Sequence, residues 1–430
     1  MSMLTRAQYP RELRAWIFLP VMLGVLEGGA VGVLVKIGFA GTVPPLVLDI
    51  AVAMLAAAPA FANILSFMWA TASHGRNKVR FATRLMIVTA MLVALVAVAP
   101  RNTLGLWLIV FAVVAARMFW SGVITLRSTV WRANYPPHER ARLAGNFSAM
   151  QAIVVAATAT LLGLALERWD DAFRFVYPIA AVVGVFGAMQ YNRIRVRGHR
   201  ALINRERAHA EETNGRAIFD PRAFINVLRD DRRFRNYMLA MFVFGFGNLM
   251  VLAPLVLVVT ERFQFTHFPA MLVTAAIPVA LMPITIPFWS QYFDRVHILQ
   301  YRSIHCWVFV TMIATVAIAA LFRIPELLFV SAIIKGVAFG GGVLGWNLGH
   351  HDFAPKHLAS QYMGVHVTLT GMRGIIAPFI GVPLYRFFEN WKPGMGGLVF
   401  LVCLAISLTG AIWFQVLRHR SKSWATKAGE

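Results

Sequence analysis

RIRVRGHRALINRERAHAEETNGRAIFDPRAFINVLRDDRRFRN, residues 193–236, is the only long polar stretch in a chain of 430 residues. It is dense in Arg, with several Asp and Glu among them. On each side lie about 190 residues in which apolar runs alternate with short polar breaks. A run of about 20 apolar residues is long enough to cross the hydrocarbon core as a helix. The stretch therefore reads as a linker, 192–236, between two membrane-embedded units, 1–191 and 237–430.

Composition supports a bilayer as the solvent. The chain is 58% hydrophobic and 14% charged, with a mean hydropathy of +0.64. Soluble domains are about 25% charged. The net charge of +22 does not point to nucleic acid, because a nucleic-acid site needs its basic residues gathered on a folded polar domain. No polar segment here is long enough to make one. Cys306 and Cys403 both fall inside apolar runs, so neither a disulfide framework nor metal-ligand spacing follows from them. No phosphate-binding glycine loop appears, which disfavours ATP-driven chemistry, and no cofactor is expected. The first apolar run is too long for a signal-peptide core and has no clear small-residue cleavage site, so it reads as retained.

Twelve spans are expected. Six precede the linker, near residues 16–37, 45–70, 81–100, 103–124, 143–166 and 173–190. Six follow it, near 237–259, 268–289, 303–322, 325–345, 362–385 and 397–416. Scored against these breaks, about 30 basic residues fall on the linker side and about 7 on the other. The positive-inside rule then puts both termini and the linker in the cytoplasm. Compact loops and short termini suit a bacterial inner membrane. Around 222–233 the linker has an amphipathic pattern suited to an anionic lipid surface.

The two units are related. Lys335 stands 218 positions after Arg117, as Gly340 does after Gly122 and Pro355 after Pro137. The runs Phe67-Met68-Trp69 and Pro287-Phe288-Trp289 repeat with an offset of 220. Internal repeats of this kind build many secondary transporters, with the binding site between the halves near the midplane.

At this point the chain resembles the major facilitator superfamily over nearly its whole length. That family carries a motif, roughly G-x-x-x-D-R-x-G-R, after its second helix and again after its eighth. The second copy here reads Ser290-QYF-Asp294-Arg295-VHIL, keeping the Asp-Arg pair. The first reads Ala70-TAS-His74-Gly75-Arg76-Asn77-Lys78, with His in the place of Asp. Arg117 and Gly122 are similar to an Arg and a nearby Gly in the family's fourth helix, one residue further apart. The Gly-Pro signature of drug/proton antiporters in the fifth helix is missing, since residues 143–166 contain no Pro. The resemblance implies an all-α integral membrane fold, with twelve transmembrane helices in two pseudo-symmetric six-helix halves. It implies a monomer working by alternating access, with His74, Arg76, Asp294 and Arg295 bracing the cytoplasmic gating loops.

Ionisable groups at membrane depth cost at least ~2.5–3.5 kcal/mol on insertion scales and usually face a cavity or a partner. They are Glu27, Asp49, Arg117, Lys335 and Arg373; Lys36, near the end of the first span, is expected to snorkel to the interface. Arg117 and Lys335, related by the repeat, would hold an anion between them or else pair each within its own half. Arg373 would add a third positive group. Glu27 reads either as a proton carrier or as the fixed ion-pair partner of Arg117 or Arg373. His366 is a second candidate for proton coupling. Asn248, Trp346 and Asn347 are candidates to line the substrate site, and Asn63 is a further polar group. Three cations against one carboxylate favour an organic anion or zwitterion as cargo.

Two other classes stay open on the sequence. His350-His351-Asp352 suggests an integral-membrane enzyme, although adjacent His side chains on a helix point apart and suit one metal ion poorly. A partner-binding protein that has lost transport would tolerate the altered loop motif.

Overall fold

A computed structural model of the protein describes residues 3–64, 68–69, 72–201, 203–204, 221–354 and 359–427. Phe67, Ala70 and Pro355, which belong to the repeat and loop motifs, lie outside them, as do residues 202 and 205–220 of the linker. Among the described residues there is no strand. Among the same residues eleven helices are long and apolar enough to cross a membrane, and a twelfth span is a pair of helices bent by 42° at a short break. In chain order these are α1 (Ala7–Gly38), α2 (Pro45–Ile64), α3 (Lys78–Val98), α4 (Thr103–Asn134), α5 (Leu143–Arg168) and α6 (Asp170–Asn192). After the linker come α7 (Arg232–Arg262), α8 (His267–Ala280 with Met282–Phe293), α9 (Ile298–Phe322), α10 (Glu326–Asp352), α11 (Tyr362–Trp391) and α12 (Gly396–Arg420). The twelve-span all-α fold is therefore the one expected.

Some helices overrun their expected spans. α4 continues ten residues beyond 124, to Asn134. One side of its polar end packs on α1, which explains the extension. Arg127 is sandwiched between the rings of Trp16 and Trp131, 4.3 and 4.5 Å from their centroids. Glu12 accepts hydrogen bonds from Trp131 Nε1 and Tyr135 OH, each at 2.5 Å. The amphipathic segment of the linker forms a helix, Pro221–Asp230. Asp231 then starts α7, its carboxylate accepting from Phe234 N at 2.8 Å. A short polar side chain that satisfies an orphan amide in this way is a standard helix start.

The repeat reappears as a shared brace. Trp69, following α2, donates from its indole to the carbonyl of Met118 in α4 at 2.9 Å. Trp289 in α8 donates to the carbonyl of Val337 in α10 at 2.8 Å. Both glycines of the pattern stand at these crossings. A Cβ on Gly122 would meet the Trp69 ring at 2.8 Å, and one on Gly340 would overlap Thr285. Small residues of this kind let membrane helices approach closely.

The six helices before the linker meet the six after it along three seams: α1 on α7 and α8, α2 on α11, and α5 on α8. Gly29 sits on the first, where an added Cβ would lie 2.7 Å from the backbone oxygen of Thr274. Backbone cannot rotate away as a side chain can, so Gly29→Ala should cost about 1–3 kcal/mol. The expected result is a Tm lower by several degrees in a detergent melt, with Gly364→Ala, which meets open space, as the neutral control.

Candidate functional site

The site begins with a break in α1. The helix Pro20–Val25 stops, Glu27 takes an extended conformation (φ −61°, ψ 127°), and a new helix runs over Gly28–Gly38. Two consecutive glycines, Gly28 and Gly29, follow the break. The interruption frees carbonyls that an unbroken helix would use. Tyr177 OH donates to Val25 O at 2.8 Å. Arg117 donates to Leu26 O from Nη2 at 2.7 Å and from Nε at 3.2 Å. The same Nη2 reaches Glu27 Oε2 at 3.3 Å. Broken helices with their ends satisfied by neighbours are where transporter binding sites form.

Charge-assisted N–H···O bonds are normally about 2.7–2.9 Å. Arg117 therefore holds the Leu26 carbonyl tightly and the Glu27 carboxylate loosely. Glu27 keeps 29% of its side chain exposed, and it opens onto a cavity of about 220 Å³. The cavity lies between helices from both sides of the linker. Its polar lining is Glu27, Asn63, Asn248, Lys335 and Thr370. Apolar walls come from residues such as Met312 and Phe339. Lys335 is buried, stands 5.3 Å from the Phe339 ring centroid and feels the Glu27 carboxylate. Among the described residues it makes no ion pair within 4 Å. A volume below the ~300–1,000 Å³ of drug-sized sites suits a small cargo.

Of the residues expected at the site, the structure thus gathers Glu27, Lys335 and Asn248, with Arg117 behind Glu27. The others lie elsewhere. Arg373 is turned into α7, where it donates to the carbonyl of Met241, and its other contact is Thr370 Oγ1 at 3.3 Å. Asn347 is exposed and donates to Val343 O of its own helix at 2.8 Å. Trp346 packs against His366, with ring centroids 5.8 Å apart, and His366 is buried away from the cavity. Of the expected Arg117–Lys335 clamp, Lys335 lines the cavity, whereas Arg117 is not among the residues that line it and pairs with Glu27.

Four charges that the sequence kept apart meet at the end of the bundle remote from the linker. Lys36 reaches Asp49 Oδ1 at 2.7 Å and Glu261 Oε1 at 2.6 Å. Arg386 bonds both carboxylates with two contacts each, including 2.8 Å to Asp49 Oδ1 and 2.6 Å to Glu261 Oε1. Lys36 is 7% exposed; it is paired and buried instead of snorkelling, because two carboxylates satisfy it within the protein. Glu261 lies in a π-helical turn, Val258–Arg262, a distortion that re-aims side chains and is frequent at functional sites. This quartet ties α1 and α2 to α7 and α11. Above it a second cavity of about 440 Å³ is lined by Lys36, Glu261 and Gln264, among others.

At the linker end, Asp294 and Arg295 are exposed and form no ion pair within 4 Å among the described residues. In the first loop, Arg76 lies 5.7 Å over the Phe81 ring, Lys78 donates to Ser73 O at 2.6 Å, and His74 is half-buried. The His350-His351-Asp352 run ends α10. Asp352 Oδ2 accepts from Ile298 N at 2.6 Å, capping α9, which accounts for the acid. No group of three metal-ligating side chains occurs among the described residues.

No curated protein matches this chain. Solved structures of the same fold are numerous. The nucleoside transporter NupG superposes with a TM-score of 0.65 at 13% identity, covering 95% of this chain and 98% of that one. A D-xylose-proton symporter gives a TM-score of 0.70 at 10% identity, over 94% and 96%. A POT family transporter in complex with 5-aminolevulinic acid gives 0.66 at 14% identity, over 94% and 96%. Similarity at this level speaks to the fold alone. The family profile described as Major Facilitator Superfamily matches residues 16–378, and on that match the chain belongs to the Major Facilitator Superfamily: it is a membrane-embedded transporter, not an enzyme.

Proposed function

We propose that the protein is a proton-coupled symporter for a small organic anion or zwitterion, working as a monomer in a bacterial inner membrane. Both termini and the linker face the cytoplasm. Units 1–191 and 237–430 rock about the central cavity, and segment 192–236 tethers them. The observation that carries this reading is the Glu27–Lys335 cavity, with Arg117 behind its carboxylate. Two cations and one carboxylate give the site a net charge of +1. An anionic group of the cargo offsets that charge beside Lys335, and Asn63, Asn248 and Thr370 are placed to fix its orientation. Protonating Glu27 raises the net charge to +2 and so strengthens anion binding. Proton and anion then favour each other's binding by the same factor, which is the thermodynamic basis of symport.

Alternating access also needs a barrier on each side of the cavity. At the end remote from the linker, the Lys36–Asp49–Glu261–Arg386 quartet crosses between the two units and serves as that barrier.

The deciding experiment is flux in proteoliposomes with an imposed pH gradient, screening organic anions, amino acids and short peptides with wild type and Lys335→Ala. The expected result is gradient-driven accumulation of an anion or zwitterion that falls at least ~30-fold in Lys335→Ala. Losing one partner of a buried charged contact costs about 2–5 kcal/mol, which is a factor of 30 or more. Undiminished flux in the variant would remove Lys335 from the binding site. A wild-type preference for cations would overturn the cargo class.

A further inference from the structure

Several of the cations described above have a carboxylate at hand. Lys36 and Arg386 share Asp49 and Glu261, Arg117 has Glu27, and Arg127 lies beside Glu12. Arg302 and Arg373 do not. They are 2% and 5% exposed, and among the described residues no Asp or Glu oxygen lies within 4 Å of either guanidinium. Arg302 donates from Nη1 to His305 Nδ1 at 3.3 Å, and His305 donates its single N–H, on Nε2, to Ala338 O at 2.8 Å. That ring is therefore neutral and brings no compensating charge. Arg373 has only the Met241 carbonyl and Thr370 Oγ1. The Nε of each arginine is buried without a partner among the described residues.

Two histidines complete the cluster. His366 is 1% exposed, and among the described residues neither ring nitrogen has a partner; His350 is 5% exposed, with Nδ1 likewise unpartnered among them. The charged and titratable groups that His366 faces are Arg373, Arg302 and His350. Those acting on Arg373 are Arg302 and Tyr237. The Tyr237 hydroxyl stands beside Arg302 as a neutral acceptor; the cluster is otherwise rich in N–H donors and doubly positive. Glycine stands against each guanidinium: a Cβ at Gly345 would overlap Arg302, and one at Gly245 would overlap Arg373.

Like charges buried together repel strongly in a low-dielectric interior. Buried donors are normally paired, and an uncompensated buried charge is strongly unfavourable. We propose that Arg302, Arg373, His350 and His366 form a binding site for a small inorganic anion, a halide or a compact oxyanion. It lies toward the linker end of the second unit and is separate from the Lys335 cavity. An anion between the guanidiniums offsets both charges and accepts from the free Nε–H groups and the imidazole N–H groups. Arg373 also touches Thr370, whose side chain belongs to the cavity lining, so an occupied site steadies one wall of the transport cavity.

The test is thermal melting of the full chain in detergent. Sodium chloride and sodium phosphate are each titrated against sodium gluconate at constant ionic strength. Anything that binds the native state and not the unfolded one raises Tm saturably. The expected result is a saturable rise with chloride, phosphate or both, relative to gluconate. Arg373→Gln and Arg302→Gln should raise the half-saturating concentration at least ~tenfold, and His366→Leu should do so if either arginine variant fails to fold. Lys335→Gln should leave the titration unchanged. Identical melting in all three salts overturns the proposal, as does a saturable rise that survives the cluster substitutions. Abolition by Lys335→Gln would assign the anion to the transport cavity and overturn it too.

Discussion

Arg386→Gln is expected to leave the protein folded and to open the end of the bundle remote from the linker. The quartet balances two cations against two carboxylates, and its members come from α1, α2, α7 and α11. Without Arg386, Asp49 and Glu261 share only Lys36, and the cluster carries a net negative charge in a largely buried place. Removing one partner of a buried pair costs about 3–5 kcal/mol. Arg386 and Glu261 are 27% and 31% exposed at their side chains, so screening reduces this toward about 2 kcal/mol, still roughly a thirtyfold change in population. The cost is relieved if the two units separate there and water reaches the carboxylates. A cysteine reporter reads this directly, because Cys306 and Cys403 are buried and give little background. Leu252 lines the central cavity. Leu252→Cys should react at least ~tenfold faster with a membrane-impermeant maleimide, added from the face remote from the linker, when Arg386→Gln is also present. Gradient-driven flux should fall in parallel, because a barrier that no longer closes leaves the cycle without one of its states. Asp49→Asn tests the same idea with the opposite residual charge. Labelling rates that stay equal to the Leu252→Cys parent in both variants would show that the quartet is not the barrier.

That quartet also marks where the sequence stops being informative. Ionisable groups at mid-membrane are visible in a sequence because the bilayer makes them costly, and Glu27 and Lys335 stand out for that reason and do meet at the cavity. Trp69 and Trp289 are visible through their spacing, and each makes the same bond to the neighbouring helix. Glu261 and Arg386 sit at span ends, where charged residues are ordinary, and lie 125 positions apart in the chain. Nothing local says that they meet Lys36 and Asp49. The π-helical turn that carries Glu261 has no periodicity signal either. Arg373 shows the converse difficulty. Its depth in α11 is legible, but the face it takes is decided by a carbonyl of α7 and by the absence of a side chain at Gly245, which only the packing reveals. The overrun of α4 has the same origin: Arg127 looks like a helix-end cation and is instead stacked between two indoles.

Glu27→Gln is expected to separate binding from coupling. In the proposed cycle the carboxylate is loosely held by Arg117, at 3.3 Å, and shares its cavity with Lys335. When it is ionised the site carries one net positive charge, and when it is protonated, two. Anion affinity should therefore rise as pH falls, by at least ~tenfold, a coupling of about 1.4 kcal/mol. Glutamine mimics the protonated acid in shape and charge. It leaves the Leu26–Arg117 bonds that stabilise the helix break, so the fold should be kept. The variant should bind cargo at neutral pH as tightly as wild type does at low pH, with no further pH dependence. It should still exchange labelled for unlabelled cargo across the membrane, within about threefold of wild type, because exchange needs no net proton movement. Accumulation driven by a pH gradient should fall at least ~100-fold. The two measurements together distinguish the roles left open for this residue. A purely structural Glu27 predicts pH-independent affinity in wild type and parallel changes in exchange and accumulation in the variant. A proton carrier predicts that exchange survives while accumulation does not. Should affinity in wild type weaken as pH falls, the charge argument would have the wrong sign, and the coupled proton would have to reside on a group other than Glu27.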